Sequence, residues 1–249
     1  MNGNLSVLVL AAGKGTRMKS DLAKVLHPML GQPMLAHVLK AVRALKPERL
    51  VVVTGYQADR VEAVVGGKDI IFVQQIEQLG TGHAVSVARE VLEDFSGTVL
   101  ILYGDLPLLL PQTMTDFLEI HKKSEVPLSV LTVELEEPGA YGRIIRDGNG
   151  FLARIVEARD AAPEELSVKE INTGIYAVSG SVLFDLIGKL NQNNDQQEYY
   201  LTDIVGLARN QGLLAAAVMT SDPGEVLGIN DQAELARSIE VIKARIGEV

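Results

Sequence analysis

The chain has 249 residues, 47% of them hydrophobic, and a formal net charge of −9 at pH 7. That length is enough for one large α/β domain, or for a nucleotide-binding region with a smaller lobe attached. The sequence has no cysteine, which excludes disulfides and thiolate metal sites, and its four histidines lack zinc-binding spacing. The acidic balance argues against nucleic-acid partners, and no apolar run approaches the roughly 20 residues that span a bilayer. We therefore expect a cytoplasmic enzyme that acts on small molecules.

Apolar runs and helical stretches alternate through the first half of the chain. Val51, Val52 and Val53 belong to a continuous apolar run, which is typical of a strand covered on both faces in a parallel sheet. Pro33 stands before apolar residues at helical spacing, as at the first turn of a helix. We expect an α/β fold with a Rossmann-like, doubly wound sheet, mixed but mostly parallel, with helices on both faces. The predicted elements are strands at 7–10, 50–54, 70–74 and 99–103, and helices at 34–45 and 84–95.

The pattern loosens after Pro111, which begins a predicted helix. The segment DGNG at 147–150 lies between two strand candidates and is a strong hairpin signal, so antiparallel strands either join the sheet or form a small lobe over it. Residues 160–167, with one proline and two glutamates, predict a mobile acidic loop. The remaining predicted elements are strands at 128–135, 143–146, 151–157, 171–178 and 214–219, and helices at 181–190, at 199–209 and from Asp231.

A glycine-rich turn follows the first strand and contains a cluster of cations. Gly13 and Gly15 lack Cβ atoms, so backbone N–H groups there can approach an anionic ligand closely. Arg17 can bind two oxygens at once, whereas Lys24 acts as a mobile point charge. A dinucleotide fingerprint needs a third glycine or alanine where Met18 stands, and a Walker loop needs serine or threonine where Gly15 stands. The turn therefore predicts a polyphosphate-binding loop of neither type.

Several short motifs combine into a more specific resemblance. LAAGKGTRMKSDLAK at 10–24 occurs with KVLH at 24–27, Gln75, QLGTGHA at 78–84, YGD at 103–105 and EINTG at 170–174. This set resembles N-acetylglucosamine-1-phosphate uridyltransferase, a sugar nucleotidyltransferase of bacterial cell-wall precursor synthesis, over nearly the whole chain. The resemblance implies the nucleotide-diphospho-sugar transferase fold and Mg²⁺-dependent transfer of UMP from UTP to N-acetylglucosamine-1-phosphate, giving UDP-N-acetylglucosamine and pyrophosphate. Two alternatives stay open: a uridylyltransferase for the 1-phosphate of glucose or N-acetylgalactosamine, and a noncatalytic sensor of sugar nucleotides.

Nucleotidyl transfer depends on positioning and charge neutralisation more than on covalent catalysis. The resemblance implies that Lys14 and Arg17 hold the β- and γ-phosphates, and that Lys24 bridges to the α-phosphate or the sugar phosphate. Asp105, at the carboxyl end of a strand, is the predicted Mg²⁺ ligand. The resemblance implies the amide oxygen of Asn230 as the second ligand. Each residue also has a simpler explanation: the cations as a solvated face, Asp105 as a turn former, and Asn230 as a helix cap.

The resemblance also implies a set of binding residues. Gln75 and the Gly80-Thr81 segment would bind uracil, whose carbonyl and N–H groups suit a carboxamide and backbone groups. Glu157 would accept a hydrogen bond from a sugar hydroxyl, and Asn172 would pair with an amide on C2 of the sugar. Thr202, at the start of a predicted helix, is equally well explained as an outward-facing residue. The full predicted binding set is Leu10, Ala11, Ala12, Gly13, Lys24, Gln75, Gly80, Thr81, Tyr103, Gly104, Gly142, Glu157, Asn172, Thr202 and Asn230.

One residue departs from the family signature, and one family domain has no counterpart in the sequence. Ala23 replaces the proline that usually precedes the lysine, which predicts a more mobile Lys24 segment. We expect a nucleotidyltransferase domain at 1–230 and a helical arm at 231–249. No hexapeptide repeat is present, so the left-handed β-helix acetyltransferase domain of bifunctional members is expected to be absent, in a piece of a longer protein or in a natural single-domain relative. We expect a monomer or weak dimer, and a trimer only if that domain exists in the native chain.

Overall fold

The computed structural model describes residues 4–247, and within that range nine strands form one mixed sheet with helices on both faces. The strands are β1 (Leu5–Leu10), β2 (Pro28–Met29), β3 (Gln32–Pro33), β4 (Arg49–Thr54), β5 (Ile70–Gln74), β6 (Thr98–Tyr103), β7 (Leu128–Glu134), β8 (Arg143–Arg146), β9 (Leu152–Val156), β10 (Glu170–Ser179) and β11 (Ala215–Met219). The helices are α1 (Met34–Arg43), α2 (Ala58–Val65), α3 (Thr81–Ser86), α4 (Arg89–Leu92), α5 (Pro111–Ser124), α6 (Pro163–Leu166), α7 (Gly180–Ile187), α8 (Asp203–Asn210), α9 (Pro223–Val226) and α10 (Gln232–Ile246).

The sheet confirms the predicted doubly wound, mostly parallel architecture. Its main strand order is β11-β7-β10-β6-β1-β4-β5, in which β6, β1, β4 and β5 run parallel. Strand β10 is antiparallel to both β6 and β7, and β11 is parallel to β7. The predicted hairpin β8–β9 joins the sheet through β10, which decides between the two arrangements that the sequence left open. The small strands β2 and β3, and helix α2, were not predicted.

Both faces of the sheet are covered by helices, so the loops that leave its strand ends start from fixed positions. Val7 and Val9 pack in one core with residues of α1 and α5, whereas Leu8 packs in a second core with residues of α3 and α7. All three side chains are fully buried, as expected for a central parallel strand between helix layers. Their burial anchors the carboxyl end of β1, from which the glycine-rich loop leaves the sheet.

A third, smaller core connects the glycine-rich loop to the last helix. Met18 and Met34 pack with Ile229 and Leu235, and all four side chains are buried. The outer turns of α10 remain partly exposed, with Ile246 57% accessible. No helix in the described range 4–247 is long and apolar enough to cross a membrane.

Three predicted segments differ from the structure. The helix predicted at 84–95 is two helices, α3 and α4, because the backbone at Ala88 leaves the helical region (φ −83°, ψ 3°). The helix predicted at 199–209 begins only at Asp203, because Tyr199 bonds to another loop: its N–H donates to Leu79 O and its carbonyl accepts from Gly82 N. The loop predicted at 160–167 contains helix α6, whose first turn is closed when Glu165 Oε2 accepts from Ala162 N at 2.8 Å.

Candidate active site

A cleft of about 320 Å³ opens at the carboxyl ends of β1, β5 and β6. The strand order reverses between β1 and β6, and ligands of open α/β sheets bind outside the strand ends at such a switch point. The predicted residues that line this cleft are Leu10, Ala11, Ala12, Gly13, Lys24, Gln75, Gly80, Thr81, Tyr103 and Asp105. Gly104 lies buried behind them, where a Cβ would come within 3.2 Å of Ala11 and Val25.

The glycine-rich loop uses its two central glycines differently. Gly15 has φ +72°, and a Cβ there would overlap the Lys24 side chain, so glycine is required by the fold. At Gly13 a Cβ would meet no atom within 4 Å, so packing does not explain glycine at this exposed position. Between Gly15 and Lys24, the buried Met18 anchors a short turn that leaves Arg17 exposed at the cleft edge.

Lys24 connects the two predicted metal ligands. Its ammonium forms an ion pair with Asp105 Oδ2 and donates to Asn230 Oδ1 at 2.8 Å, and Arg17 Nη2 donates to the same amide oxygen at 2.8 Å. The Lys24 and Asp105 side chains are only 13% and 19% exposed, so water screens their attraction less than it would on an open surface. The fold therefore brings together Arg17, Lys24, Asp105 and Asn230, as the resemblance implies.

The local structure around Asn230 keeps its amide oxygen directed at these cations. Asn230 Nδ2 donates to Gly228 O at 2.9 Å, which leaves Oδ1 to accept from Arg17 and Lys24. Asp231, rather than Asn230, caps helix α10, since its Oδ1 accepts from Glu234 N at 2.8 Å. The helix-cap explanation of Asn230 is therefore wrong.

The opposite wall of the cleft is formed by Gln75 and the GTGH segment. Gln75 is 4% exposed, and its Nε2 donates to Gly80 O at 3.1 Å and lies 3.0 Å from His83 Nδ1. Gly80 has φ +106°, and a Cβ there would lie 2.7 Å from the carbonyl oxygen of Tyr199. Thr81 Oγ1 accepts from Leu201 N at 3.0 Å, which ties the segment to the chain before α8.

The predicted sugar-side residues form a second cluster beyond Tyr103. Thr202 Oγ1 donates to Glu157 Oε1 at 3.3 Å, and Asn172 N donates to Gly142 O at 2.9 Å. Thr202 is 5% exposed, so the outward-facing alternative is wrong. None of Gly142, Glu157, Asn172 and Thr202 lines the 320 Å³ cleft itself.

Burial shifts the proton equilibria of this second cluster. Burial raises the pKa of Glu157, with the charges of Asp160 and Asp203 adding to the effect, while the hydrogen bond from Thr202 opposes it. Burial also raises the pKa of Tyr103 far above its ordinary value, and the nearby carboxylates of Glu157 and Asp105 add to that shift. Tyr103 is thus near two carboxylates, that of Asp105 beside Lys24 and that of Glu157 in the sugar-side cluster.

Comparison with known proteins decides the family. A family profile described as a MobA-like NTP transferase domain matches residues 7–179. This chain belongs to the MobA-like NTP transferase domain family. The bifunctional protein GlmU of Pelobacter propionicus is 48% identical over 244 residues, which cover 98% of this chain and 53% of the relative. The GlmU of Streptococcus gordonii is 44% identical over 241 residues, which cover 97% and 52%.

The chain spans about half the length of the curated relatives that it matches. Among solved structures, UDP-glucose pyrophosphorylase complexed with UDP-glucose has a TM-score of 0.74 at 16% identity, covering 97% of this chain and 99% of that one. This structural similarity supports the fold. The family match and the GlmU relatives identify this chain as a nucleotidyltransferase and confirm the resemblance seen in the sequence.

The oxygen donors of Asp105 and Asn230 fit a magnesium ion. The Asp105 carboxylate and the Asn230 amide oxygen converge on one cation, the Lys24 ammonium, and both are the hard oxygen ligands that Mg²⁺ prefers. Residues 4–247 contain no cluster of three or more His, Cys, Asp or Glu side chains that could hold a metal ion alone. A metal bound here would therefore take its other ligands from substrate phosphates and water.

Lys14 lies apart from the Lys24 group. Its ammonium is 5.2 Å from the centre of the Tyr56 ring, a cation–π contact at the rim of the cleft. Two further polar side chains that line the cleft were missed. Gln78, whose Nε2 donates to Ala12 O at 3.1 Å, belongs to the QLGTGHA motif and could have been found there. Glu198 lines the cleft from a distant loop, and no sequence signal pointed to it.

Proposed function

We propose that this protein transfers UMP from UTP to N-acetylglucosamine-1-phosphate, forming UDP-N-acetylglucosamine and pyrophosphate with Mg²⁺ as cofactor. The observation that carries the proposal is the meeting of Arg17, Lys24, Asp105 and Asn230 beside a cleft whose other wall holds Gln75. Two cations and a carboxylate–amide oxygen pair provide what a phosphoryl-type transfer needs, namely charge neutralisation and fixed geometry.

In the proposed reaction, a phosphate oxygen of the sugar phosphate attacks the α-phosphorus of UTP, and the bond to the departing pyrophosphate breaks. The attacking oxygen is already ionised, so the site needs no general base. Arg17 and Lys24 stabilise the negative charge that moves to the β- and γ-phosphates, and the open backbone at Gly13 lets the triphosphate lie close to the loop. When bound by Asp105 and Asn230, Mg²⁺ supplies further neutralisation of phosphate charge.

We assign recognition of the base and recognition of the sugar to two different groups of residues. We place uracil against Gln75 and the Gly80-Thr81 segment, because the hydrogen bonds of Gln75 Nε2 fix the orientation of its carboxamide. We place the sugar against the cluster of Glu157 and Asn172, where a half-buried carboxylate can accept from a hydroxyl. An amide on the sugar would find a donor and an acceptor in Asn172.

The test is pyrophosphate release, measured with Mg²⁺ and each of UTP, dTTP, CTP, ATP and GTP. Each nucleotide is combined with the 1-phosphates of glucose, N-acetylglucosamine and N-acetylgalactosamine. Turnover confined to UTP and N-acetylglucosamine-1-phosphate supports the proposal in full. Turnover with UTP and another sugar phosphate overturns the sugar assignment, and UDP-sugar binding without turnover favours the sensor.

Replacing Glu157 with glutamine is expected to stabilise the free protein and weaken sugar-phosphate binding. A carboxyl with a raised pKa in the fold loses folding free energy as pH rises through that pKa, so a neutral isostere removes the penalty at pH 7–8 and changes little at low pH. Each kcal/mol recovered raises Tm by roughly 2–4 °C for a domain of this size. The checks are a melting curve at pH 8 and at pH 4.5, and the KM for the sugar phosphate.

Glu119→Gln is the matched control for this prediction. Glu119 is exposed on helix α5 and forms only a surface ion pair with Lys123 at 3.9 Å, which is worth at most about 1 kcal/mol. We expect its Tm and KM to stay close to those of the parent at both pH values. A lower Tm of Glu157→Gln at pH 8 would contradict the burial argument for Glu157.

A further inference from the structure

The loop between β4 and α2 forms hydrogen bonds with the backbone of the segment that precedes Lys24. Gln57 Oε1 accepts a hydrogen bond from Ala23 N at 3.0 Å, and Gln57 Nε2 donates to Asp21 O at 3.0 Å. Tyr56 Oη donates to the same Asp21 carbonyl at 3.1 Å. One carboxamide therefore binds the backbone on both sides of residue 22, immediately before the lysine that meets Asp105.

The backbone conformation of Gln57 is itself unusual. Gln57 has φ +55° and ψ 39°, a left-handed conformation that residues other than glycine, asparagine and aspartate rarely adopt. A long side chain at such a position is maintained against the backbone preference, which points to a use for that side chain. The only hydrogen bonds that its carboxamide makes within the described range 4–247 are those with Ala23 and Asp21.

The same loop also contacts the beginning of the glycine-rich segment. Tyr56 N donates to Ala12 O at 3.0 Å, and a Cβ at Gly55 would lie 2.7 Å from that oxygen. The Tyr56 ring lies under the Lys14 ammonium. The loop at 55–57 therefore fixes both ends of the segment that carries the cations, and Gln57 is its contact with the end that bears Lys24.

We infer that Gln57 is a positioning residue for Lys24, and this inference rests on the proposed function. By fixing the backbone at Ala23, its carboxamide sets the start of the short turn at Lys24–Leu26 and so directs the Lys24 ammonium at Asp105 and Asn230. Gln57 does not line the cleft, so its effect on the reaction passes through the backbone of residues 21–23.

Ala23 provides a way to replace this contact. Ala23 has φ −52° and ψ 135°, values that proline adopts, but proline has no N–H to donate. The Cδ atom of a proline at position 23 would occupy the place of the Ala23 amide hydrogen. Because Gln57 Oε1 is 3.0 Å from the Ala23 nitrogen, that Cδ would lie too close to this oxygen. A proline at position 23 would therefore clash with the Gln57 carboxamide. Once residue 57 has a shorter or apolar side chain, the proline ring would hold residue 23 at the φ that Ala23 has now.

The test is a double-mutant cycle of Gln57→Leu and Ala23→Pro, read as kcat and KM for pyrophosphate release. A misplaced catalytic group costs up to about 100-fold in rate, and we expect each single variant to lose at least about tenfold in kcat with Tm close to that of the parent. We expect the double variant to recover to within about threefold of the parent. Gln112→Leu, the same change at an exposed position on α5, is the matched control and should leave kcat unchanged.

Two kinetic outcomes overturn the inference: a Gln57→Leu variant with the kcat of the parent, and a double variant whose loss is the product of the single losses. Amide hydrogen exchange of residues 20–27 gives a readout that does not depend on turnover. Exchange should be faster in Gln57→Leu than in the parent and slow again in the double variant. If the parent shows no turnover with any substrate pair, the proposed function fails, whereas unchanged exchange in Gln57→Leu refutes the role of Gln57 by itself.

Discussion

Replacing Asp105 with asparagine is expected to lower kcat by about a thousandfold while leaving the fold intact. Asparagine keeps the size of the side chain and an oxygen that can accept from Lys24, but it removes the negative charge that attracts Mg²⁺. A metal ion contributes several kcal/mol to neutralising phosphate charge, and about 4 kcal/mol corresponds to a factor of 10³ in rate. The measurement is single-turnover pyrophosphate release at saturating UTP and Mg²⁺.

Asp116→Asn is the control for this change, because Asp116 is an exposed residue of α5 that accepts from Gln112. It should retain parental kcat and Tm. UTP binding by Asp105→Asn, measured calorimetrically in EDTA, should stay within about tenfold of the parent, since Arg17, Lys24 and Gln75 remain. A kcat within tenfold of the parent would remove Asp105 from the proposed metal site.

Replacing Lys24 with methionine is expected to lower kcat/KM by about 10²–10³-fold, the usual cost of losing one charge-stabilising donor. Methionine can fill the space of the lysine stem, and what is lost is the ammonium, with its charge and its hydrogen bonds to Asp105 and Asn230. The Asp105 carboxylate then has no ammonium beside it, so its attraction for a divalent cation increases. We therefore expect the Mg²⁺ concentration that gives half-maximal rate to fall, which a metal titration of pyrophosphate release would measure.

Lys40→Met is the matched control, because Lys40 is an exposed residue of α1 that does not line the cleft. Its Mg²⁺ titration should coincide with that of the parent. An unchanged Mg²⁺ requirement in Lys24→Met would mean that the ammonium and the metal ion do not share the Asp105 carboxylate. A loss below tenfold would remove Lys24 from the reaction centre.

Local sequence signals predicted those parts of the fold that local physics controls. The valines of β4 and the DGNG turn were interpreted correctly, because strand burial and turn geometry depend on residues close together in the chain. Gly15 was singled out for another reason, close backbone approach to a ligand, whereas the structure requires glycine there for its positive φ and for the adjacent Lys24 side chain. The start of α8 was missed because Tyr199 bonds to Leu79 and Gly82, and no local pattern carries such a pairing.

Some residues of the candidate site could likewise be predicted from the sequence, and others could not. Its motifs identified Lys24, Asp105 and Asn230 through family resemblance, but no spacing in the chain indicates that these side chains meet. The tether from Gln57 to Ala23 could not be predicted, because it depends on how two loops pack after the sheet has formed. The substitution of Ala23 for proline had suggested only a looser segment, whereas the structure gives its N–H a hydrogen-bond acceptor.

The third core has a consequence for how this protein matures on the ribosome. Arg17 and Asn230, which share a hydrogen bond, are 213 positions apart, and Asn230 is brought to Arg17 by the packing of α10 on Met18 and Met34. Chains emerge from the amino terminus first, so the glycine-rich loop and strands β1 to β10 are made before α10. A nascent chain arrested before residue 230 would lack the amide that meets Arg17 and Lys24, and turnover would report that synthesis has passed that point.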